Sequence, residues 1–374
     1  MIAHIIYQNY LNKQKDALSI GGIQTYISNL SDVLLSIGFD VIIYQRSNEP
    51  FDVLYGRSRV IGIEYTKNDK GLYKALYNKM SGNIQNSDLL IFGDDSFIVK
   101  NTKCKTIAIQ HGVFWDKPER VNCTKFIFGL DYILRSYRAW KTIKRLRLVD
   151  SVICVDHNFV NWYRAIVAYP QIKFNVIPNF STIPGPYINK HDEEFINIIF
   201  ARRLFDYRGT RIFATAIEKI IAQYENVFVT IAGEGPDEDY LKDKLLQYKR
   251  IEFIKYESKD SHKLHANKHI AVVPTLGSEG TSLSLLEAMA SSCAVICSDV
   301  GGMTNIVLDH YNGLMIQPNE NDLYNSIIEL IENNNLRKFI SKNAYDTVLA
   351  SFSKDKWKNT WIECIKNLDY DVAE

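Results

Sequence analysis

The chain has 374 residues, of which 46% are hydrophobic and 23% are charged. This length predicts two domains, and this composition is typical of a water-soluble protein. The 44 Lys and Arg residues nearly balance the 43 Asp and Glu residues, for a net charge of +1, so we expect no nucleic-acid partner. The first residues lack the pattern of a signal peptide, and no apolar run reaches the ~18 residues of a membrane span. We therefore expect a cytoplasmic location.

Short β-branched apolar runs alternate with helical patterns along the chain. The predicted strands are 3–7, 40–44, 88–92, 106–110, 151–155, 196–201, 227–233, 251–255, 269–274 and 294–299. Helical spacing of apolar residues lies between them, for example over 23–37, 209–223 and 237–248. This alternation predicts an α/β protein with two Rossmann-like, doubly wound domains whose parallel sheets are covered by helices.

A segment rich in proline and glycine interrupts the alternation. Residues 176–195 contain Pro178, Pro184, Gly185 and Pro186 and then turn charged, which predicts a linker. We therefore assign 1–180 to an N-terminal domain, 181–350 to a C-terminal domain, and 351–374 to a final helical segment. Ligands of open α/β sheets bind beyond the carboxyl ends of the strands, so we expect a site in the cleft between the domains.

Two features of the N-terminal domain follow predicted strands. Gly21 and Gly22 precede a helix, where paired glycines let the backbone approach a ligand and the helix end favours an anion. His111 ends a strand and is followed by glycine, so its imidazole can position a polar substrate. Both features are also compatible with purely structural roles. The chain has no G-x-G-x-x-G, so the dinucleotide fingerprint is missing.

Basic residues mark the first strand end of the C-terminal domain. Arg202 and Arg203 end that strand, and Arg208 precedes Gly209 and a helix. Guanidinium groups beside a helix N-terminus suit a diphosphate, because they are planar, permanently charged donors. A solvated basic loop is the alternative.

A glycine-rich turn follows the next strand. Gly233 and Gly235 would form a loop lining the cleft, and residues 237–239 match D-x-D, a pattern found in divalent-cation sites. Acidic residues in the first turn of a helix are explained by the helix dipole, so we predict no metal site.

The stretch "GSEGTSLSLLEAMASS", 277–292, places two carboxylates around a helix start. Ser284 and Glu287 fit a capping box, which would explain Glu287 structurally but leaves Glu279 unexplained. If the stretch binds a ligand, the backbone amides of 280–283 face an anion and both carboxylates accept hydrogen bonds from hydroxyl groups of the ligand. A helical rise approaching ~12 Å separates the carboxylates too far for a glycosidase pair. A nucleotide sugar, with phosphate between two sugars, has the required layout.

These motifs, taken together over nearly the whole chain, resemble glycosyltransferase family 4, the retaining GT-B enzymes. The match is strongest over 279–318, which contains E-x7-E, and "RRLFDYRG" is similar to the family's G-R-L-x-x-x-K-G loop. The turn "AGEGPDEDYL", the linker entry "VIPNF", the Gly21–Gly22 loop and "QHG" also resemble family segments. The resemblance implies two Rossmann-like domains facing across a cleft and a final helix that returns to the N-terminal domain.

The resemblance also implies a role for each motif. Arg203 and Arg208 would neutralise the diphosphate of a nucleotide-sugar donor such as a UDP-sugar, and Glu287 would bind its ribose. Glu279 would hold the transferred sugar near its reacting carbon, and His111 would contact the sugar or the acceptor. Donor-binding amides would come from Gly22, Gly280, Thr281, Ser282 and Leu283. Such enzymes need no cofactor and no divalent metal.

The sequence departs from the family pattern at the donor loops. Arg202 stands where the family usually has Gly, and Arg208 where it usually has Lys. Hydroxyl-bearing residues at 281, 282 and 284 replace the commoner Phe, Gly and Pro, so we expect the sugar preference to be determined there.

Residues 134–148 combine six basic residues with Tyr137 and Trp140. A basic, aromatic helix can lie on an anionic membrane, where lipid-linked glycan acceptors reside. A domain helix that buries one face and solvates the other is the alternative.

The sequence therefore predicts a retaining glycosyltransferase that transfers a sugar from a nucleotide sugar to a glycan in bacterial surface-polysaccharide or lipopolysaccharide synthesis. Alternative interpretations are another GT-B activity, such as a nucleotide-sugar epimerase, and a catalytically silent GT-B scaffold subunit.

Overall fold

The computed structural model describes residues 1–19, 21–65, 71–101, 103–113, 130–167, 172–277, 279–368 and 370. These residues form two compact units. The first contains the described residues up to His111, those from 130 to Pro178, and those from Trp357 onward. The second contains 112–113 and Asn179–Lys356, so the chain passes between the units inside the segment 176–195.

The first unit is built on an eight-stranded sheet with the order β3-β4-β2-β1-β5-β6-β7-β8. Its strands are β1 (Ile2–Ile6), β2 (Asp40–Ser47), β3 (Phe51–Tyr55), β4 (Ser58–Glu64), β5 (Leu89–Phe92), β6 (Lys105–Gln110), β7 (Ser151–Cys154) and β8 (Lys173–Val176). All neighbours are parallel except β3 and β4, which form an antiparallel hairpin at one edge. This hairpin and β8 were not predicted from the sequence. Their residues are partly exposed, so they lack the continuous apolar runs of the central strands.

Helices α1 (Gly22–Ser36), α2 (Leu72–Met80), α3 (Leu130–Leu146) and α4 (His157–Ile166) belong to the first unit, together with α11 (Lys354–Lys366) from Trp357 onward. Helix α1 buries Ile27, Leu30 and Leu34, which recur at helical spacing. In α11, the buried Trp361 donates its Nε1 hydrogen to the Tyr26 hydroxyl at 3.0 Å. This bond satisfies the indole group inside the core of the first unit.

The second unit contains a six-stranded, fully parallel sheet with the order β11-β10-β9-β12-β13-β14. Its strands are β9 (Ile196–Ala201), β10 (Val227–Ala232), β11 (Ile251–Ile254), β12 (Ile270–Val273), β13 (Ala294–Ser298) and β14 (Leu314–Ile316). Its helices are α5 (Thr210–Gln223), α6 (Glu238–Leu245), α7 (Ser261–His265), α8 (Leu283–Ala290), α9 (Glu320–Glu332) and α10 (Asn334–Ser351). The strand order reverses between β9 and β12.

Side chains of β9 alternate between two hydrophobic cores. Ile198 and Phe200 pack into a core with residues of α5, α6 and α9, while Ile199 and Ala201 pack into a core with residues of α8 and α10. Burial on both faces explains the apolar runs from which the parallel strands were predicted. In the described part of the chain, no helix is both long and apolar enough to cross a bilayer.

Candidate functional site

The candidate site lies at the switch point of the second sheet, where β9 and β12 are neighbours. The crossover connections of these two strands leave in opposite directions, which opens a crevice beyond their carboxyl ends. Arg202 directly follows β9, and Thr275 and Glu279 lie in the loop after β12. The fold alone therefore brings together two segments that are more than seventy residues apart.

Three donors converge on one carboxylate oxygen, Glu279 Oε2. Arg202 donates from Nη2 at 3.0 Å, Thr275 donates from Oγ1 at 3.1 Å, and Arg208 donates from Nη1. The side chains of Arg202, Arg208 and Glu279 are 5%, 15% and 10% exposed, so water screens these charges weakly. Burial lowers the pKa of Arg202 to about 10 and, with the nearby charge of Arg202, that of Arg208 to about 9. Both guanidinium groups therefore stay cationic at neutral pH.

Arg203 is not one of the arginines that pair with Glu279. It is exposed, and its guanidinium lies 5.7 Å from the centroid of the Phe205 ring. Consecutive side chains leaving a strand point in opposite directions, which explains why Arg202 and Arg203 diverge. Arg203 was predicted to act together with Arg208, whereas the structure brings Arg202 and Arg208 together on Glu279. The signal for this pairing was Arg202 itself, which stands where the family that the sequence resembles usually has glycine.

Glycines hold the backbone of the Glu279 loop in place. Gly301 has a φ of +56°, and a Cβ there would lie 2.0 Å from the Glu279 carbonyl oxygen. Gly302 donates its backbone N–H to the same carbonyl at 2.9 Å. A side chain at 301 would thus be strained and would displace the loop that carries Glu279.

The predicted glycine turn 233–235 packs against the arginine loop. A Cβ on Gly233 would lie 2.1 Å from the Arg202 carbonyl oxygen, and one on Gly235 would lie 2.3 Å from that of Leu204. Leu204 also donates its N–H to the Glu234 carbonyl at 2.9 Å. The turn therefore supports the backbone from which Arg202 and Arg203 project.

Helix α8 begins one turn after Glu279, and its start differs from the predicted capping box. Its N-cap residue is Ser282, without a side-chain capping bond, while Ser284 lies inside the first turn. Ser284 Oγ instead lies 3.2 Å from Ser282 Oγ. The capping-box prediction is wrong because the helix starts two residues earlier than the motif requires. Asn179 Nδ2 donates to the Thr281 carbonyl at 2.6 Å and fixes the loop that enters the helix.

Glu287 lies about one turn into the helix and faces α7. Ser261 donates its hydroxyl to Glu287 Oε2 at 2.6 Å. Burial raises the pKa of Glu287 to about 7, although the Ser261 hydrogen bond opposes the rise. Glu287 is therefore not a cap, and its carboxyl is divided between protonated and ionised forms near neutral pH.

The remaining candidates, Gly21, Gly22 and His111, lie in the first unit. Gly21 is the N-cap residue of α1. Both glycines were predicted to precede the helix, whereas Gly22 is already its first residue. His111 Nε2 lies 2.9 Å from the Gly93 carbonyl, so Nε2 carries the proton and Nδ1 is the acceptor nitrogen. Burial lowers the pKa of His111, against the opposing charge of Asp94. The imidazole is therefore neutral at pH 7.

The acidic turn 237–239 is occupied by internal partners. Asp237 accepts a hydrogen bond from Thr210 Oγ1 and lies 3.9 Å from Arg211, and Glu238 pairs with Lys242 at 2.7 Å. Among the residues that the structure describes, no three His, Cys, Asp or Glu side chains form a group that could hold a metal ion.

Helix α3 has a buried face and an exposed, basic aromatic face. Ala139, Ile143 and Leu146 are buried, whereas Tyr137 and Trp140 are 57% and 55% exposed. The Tyr137 and Trp140 rings lie 6.0 Å apart. The exposed apolar surface continues at Ile133 and Leu134. The buried face therefore packs against the first unit, as expected for an ordinary domain helix. The exposed face carries large apolar groups, which are unusual on a helix face that contacts only water.

The chain is similar to glycosyltransferases in a family model and in several curated proteins. Residues 186–347 match the family described as glycosyl transferases group 1. An uncharacterized glycosyltransferase of Methanocaldococcus jannaschii is 27% identical over 287 residues, which is 69% of this chain and 66% of that protein. The chain spans about three fifths of the length of the curated relatives it matches.

Solved structures match over the whole chain. Sucrose-phosphate synthase from Thermosynechococcus elongatus has a TM-score of 0.77 at 16% identity, covering 98% of this chain and 99% of that one. Staphylococcus aureus TarM, solved in a complex that includes UDP, has a TM-score of 0.73 at 12% identity, covering 97% and 99%.

These neighbours and the two parallel-sheet units define the GT-B fold, which confirms the predicted fold class. The family match and the relatives support membership of the glycosyltransferase superfamily.

Proposed function

We propose that this chain is a retaining, metal-independent glycosyltransferase of family 4 that uses a nucleoside-diphosphate sugar, such as a UDP-sugar, as donor. The observation that carries the proposal is the convergence of Arg202, Arg208 and Thr275 on Glu279 at the switch point of the second sheet. A partly buried carboxylate held by cations in a crevice, eight residues before a second partly buried carboxylate, fits a ligand with a diphosphate between two sugars.

Each charged group has a distinct role in the proposed donor complex. Arg203 and Arg208 neutralise the diphosphate, with backbone N–H groups at the start of α8 as additional donors. Glu287 accepts hydrogen bonds from the ribose hydroxyls, and Glu279 accepts them from the transferred sugar. His111 offers its Nδ1 to a hydroxyl of the sugar or the acceptor.

The transfer breaks the bond between the anomeric carbon and the diphosphate oxygen and forms a bond to the acceptor oxygen on the same face. The departing diphosphate oxygen takes the proton of the acceptor hydroxyl, so the step needs no side-chain base. Arg203 and Arg208 stabilise the negative charge that develops on this leaving group.

A panel of nucleotides tests the proposed donor site. We expect one of UDP, GDP, ADP and dTDP, and the matching nucleotide sugar, to raise the melting temperature, because a ligand of the folded state stabilises it. Glu287→Ala and Arg203→Ala should then each weaken nucleotide binding at least about tenfold in calorimetry. Arg57→Ala, at an exposed position of the first unit, serves as the control. Unchanged affinity in both site variants would refute the assignment.

Product analysis separates transfer from other GT-B activities. We expect the sugar to appear on a glycan acceptor with retained anomeric configuration, as in the synthesis of a surface polysaccharide or lipopolysaccharide. Conversion of the donor in the absence of any acceptor would instead identify an epimerase.

We further propose that α3 places the protein on the inner face of an anionic membrane, where lipid-linked acceptors reside. Residues 133–149 contain no acidic residue, and their six basic residues are Arg135, Arg138, Lys141, Lys144, Arg145 and Arg147. Trp140 and Tyr137 stand exposed among these cations, as in helices that insert aromatic rings at the headgroup level. Arg145 lies 3.7 Å from the buried Asp95, an ion pair that fixes the C-terminal end of the helix to the first unit.

Vesicle sedimentation tests this surface. We expect the protein to sediment with vesicles of phosphatidylcholine and phosphatidylglycerol, to stay in solution with phosphatidylcholine alone, and to dissociate in high salt. A Tyr137→Ser/Trp140→Ser variant should bind at least about fivefold less, because it loses the inserted rings. Phe339→Ser removes an aromatic ring that is also 51% exposed but lies in the second unit. Equal binding of both variants would contradict the proposal.

A further inference from the structure

We infer that Arg202 is a positioning residue that keeps Glu279 ionised and in place when a nucleotide sugar draws Arg208 away from it. The inference rests on the proposed donor site and adds a residue whose place the related loops usually fill with glycine. It assigns the two arginines different tasks, although both contact the same oxygen of Glu279.

Arg202 is anchored within the protein at two points. Its Nη2 donates to Glu279 at 3.0 Å and its Nη1 donates to Thr275 Oγ1 at 2.5 Å. Thr275 Oγ1 in turn donates to Glu279 at 3.1 Å, so the three side chains form a closed triangle. Arg202 is 7% exposed overall, and its Nε finds no hydrogen-bond partner among the described residues. A buried guanidinium held in this way has little freedom to turn toward a ligand.

Arg208 is held less firmly. It is the last residue of the single turn Asp206–Arg208 between β9 and α5, and its side chain stacks on its neighbour Tyr207, 4.9 Å from the ring centroid. Its ion pair is with Glu279, on the oxygen that already accepts from Arg202 and Thr275. Three donors on one oxygen exceed its two lone pairs, so one of them is readily exchanged. Arg208, with the more exposed side chain, is that donor.

Charge balance shows what Arg202 does after the exchange. A bound diphosphate carries about two negative charges, which Arg203 and Arg208 match. Glu279, only 10% exposed at its side chain, then keeps Arg202 as its counter-ion. Without Arg202 it would be a buried carboxylate beside a diphosphate, and burial and like charge both favour its protonation. A protonated carboxyl accepts fewer hydrogen bonds from the sugar.

Few other groups bear on this balance. The charged and titratable side chains that act on Arg202 are Arg203, Tyr207 and Tyr256, besides Glu279 and Arg208. Burial raises the pKa of Tyr256, which therefore stays neutral in the physiological range. Among the residues that the structure describes, removing Arg202 thus leaves no cation paired with Glu279 once Arg208 binds phosphate.

The test separates recognition of the sugar from recognition of the diphosphate. The measured quantity is the ratio of the Kd of the free nucleoside diphosphate to that of its sugar conjugate, obtained by calorimetry at about pH 6 and pH 8.5. The probes are UDP with UDP-glucose, UDP-galactose and UDP-N-acetylglucosamine, and GDP with GDP-mannose. Protonation of Glu287 affects both ligands of a pair alike and therefore cancels from the ratio.

For Arg202→Gln we expect the ratio to lie at least about tenfold below the wild-type ratio at pH 6. At pH 8.5, where we expect Glu279 to be ionised again, the ratio should return to the wild-type value. The affinity for the nucleoside diphosphate alone should stay within about threefold. Arg202→Lys keeps the charge and should follow the pH dependence of the wild type. Arg250→Gln removes another partly buried guanidinium, which donates to the Ile221 carbonyl at 2.7 Å, and should leave the ratio unchanged.

Two results would overturn the inference. One is a ratio in Arg202→Gln that stays at the wild-type value at both pH values, and the other is an equal loss of affinity for both ligands of a pair. Either result leaves the proposed function intact if the wild type binds a probe. Failure of the wild type to bind any probe would instead refute the proposed function and, with it, the inference.

Discussion

Replacing Glu287 by glutamine should stabilise the second unit while weakening nucleotide binding. The Glu287 carboxyl is partly buried on α8, and its described hydrogen bond comes from Ser261. Burial raises its pKa from 4.5 to about 7, so the folded protein holds a proton that the unfolded chain releases. The folded state is therefore most favoured below pH 4.5, and this contribution is lost as the pH rises through 7.

The size of the effect follows from the two pKa values. Each pH unit between folded and unfolded pKa corresponds to about 1.4 kcal/mol, so the ionised carboxylate costs about 3 kcal/mol above pH 8. Glutamine keeps the shape and the hydrogen bond from Ser261 without the charge. We therefore expect Glu287→Gln to exceed the wild type in unfolding free energy by up to about 3 kcal/mol at pH 8, and by no more than about 1 kcal/mol at pH 5.

Urea denaturation at both pH values, followed by circular dichroism, measures this difference. Hydrogen exchange of peptides from α7 and α8 assigns it to the second unit, because exchange reports local stability. Glu257→Gln is the control for the loss of one acidic residue, because Glu257 is exposed and pairs only with the exposed Lys259 among the described ion pairs. A variant that is no more stable than the wild type at pH 8 would refute the reasoning.

The same substitution should also separate stability from binding. In the proposed donor complex the ribose hydroxyls donate to the ionised carboxylate, so wild-type nucleotide affinity should rise as the pH increases through about 7. Glu287→Gln should bind weakly at every pH and lose this dependence. The buried carboxylate would then be an example of stability given up for function.

Three further predictions follow from single contacts. Gly301→Ala should lower the free energy of unfolding by about 2 kcal/mol or more and abolish nucleotide binding, since its Cβ would meet the Glu279 carbonyl. Urea denaturation and calorimetry measure the two effects, and Gly185→Ala is the control because nothing lies within 4 Å of a Cβ at that position. The imidazole of His111 should titrate below 6.5 in nitrogen NMR, because burial lowers its pKa, and a midpoint above 6.5 would contradict the described environment. Trp361→Phe should lower the unfolding free energy by about 1–3 kcal/mol, because the first unit loses a buried ring and the bond to Tyr26.

The central strands could be predicted from the sequence because they are buried on both faces. Residues 196–201 form β9 with the predicted bounds, since Ile198 and Ile199 face different cores and a continuous apolar run results. The edge hairpin β3–β4 could not be predicted in this way. In β3, partly buried residues alternate with exposed ones, so no continuous apolar run marks the strand. Its antiparallel pairing with β4 also depends on a sheet that distant segments form.

Within the site, sequence predicted which segments carry the chemistry but not how their side chains pair. Glu279 and Arg208 were predicted as donor-site residues, and the structure joins them in one ion pair. The partner role of Arg202 depends on which way a side chain leaves a strand end, which a residue pattern does not specify. Thr275 and Ser261 gave no sequence signal, because single hydroxyl residues become informative only when the fold places a carboxylate beside them.

The central claim is that a nucleotide sugar binds at the switch point of the second sheet. Hydrogen exchange measured with and without UDP, or whichever nucleoside diphosphate raises the melting temperature, tests it most directly. We predict protection in peptides that cover 201–209 and 279–290, with no comparable change across 210–223 of α5. Protection confined to other segments, or no protection by any nucleotide of the panel, would contradict the claim.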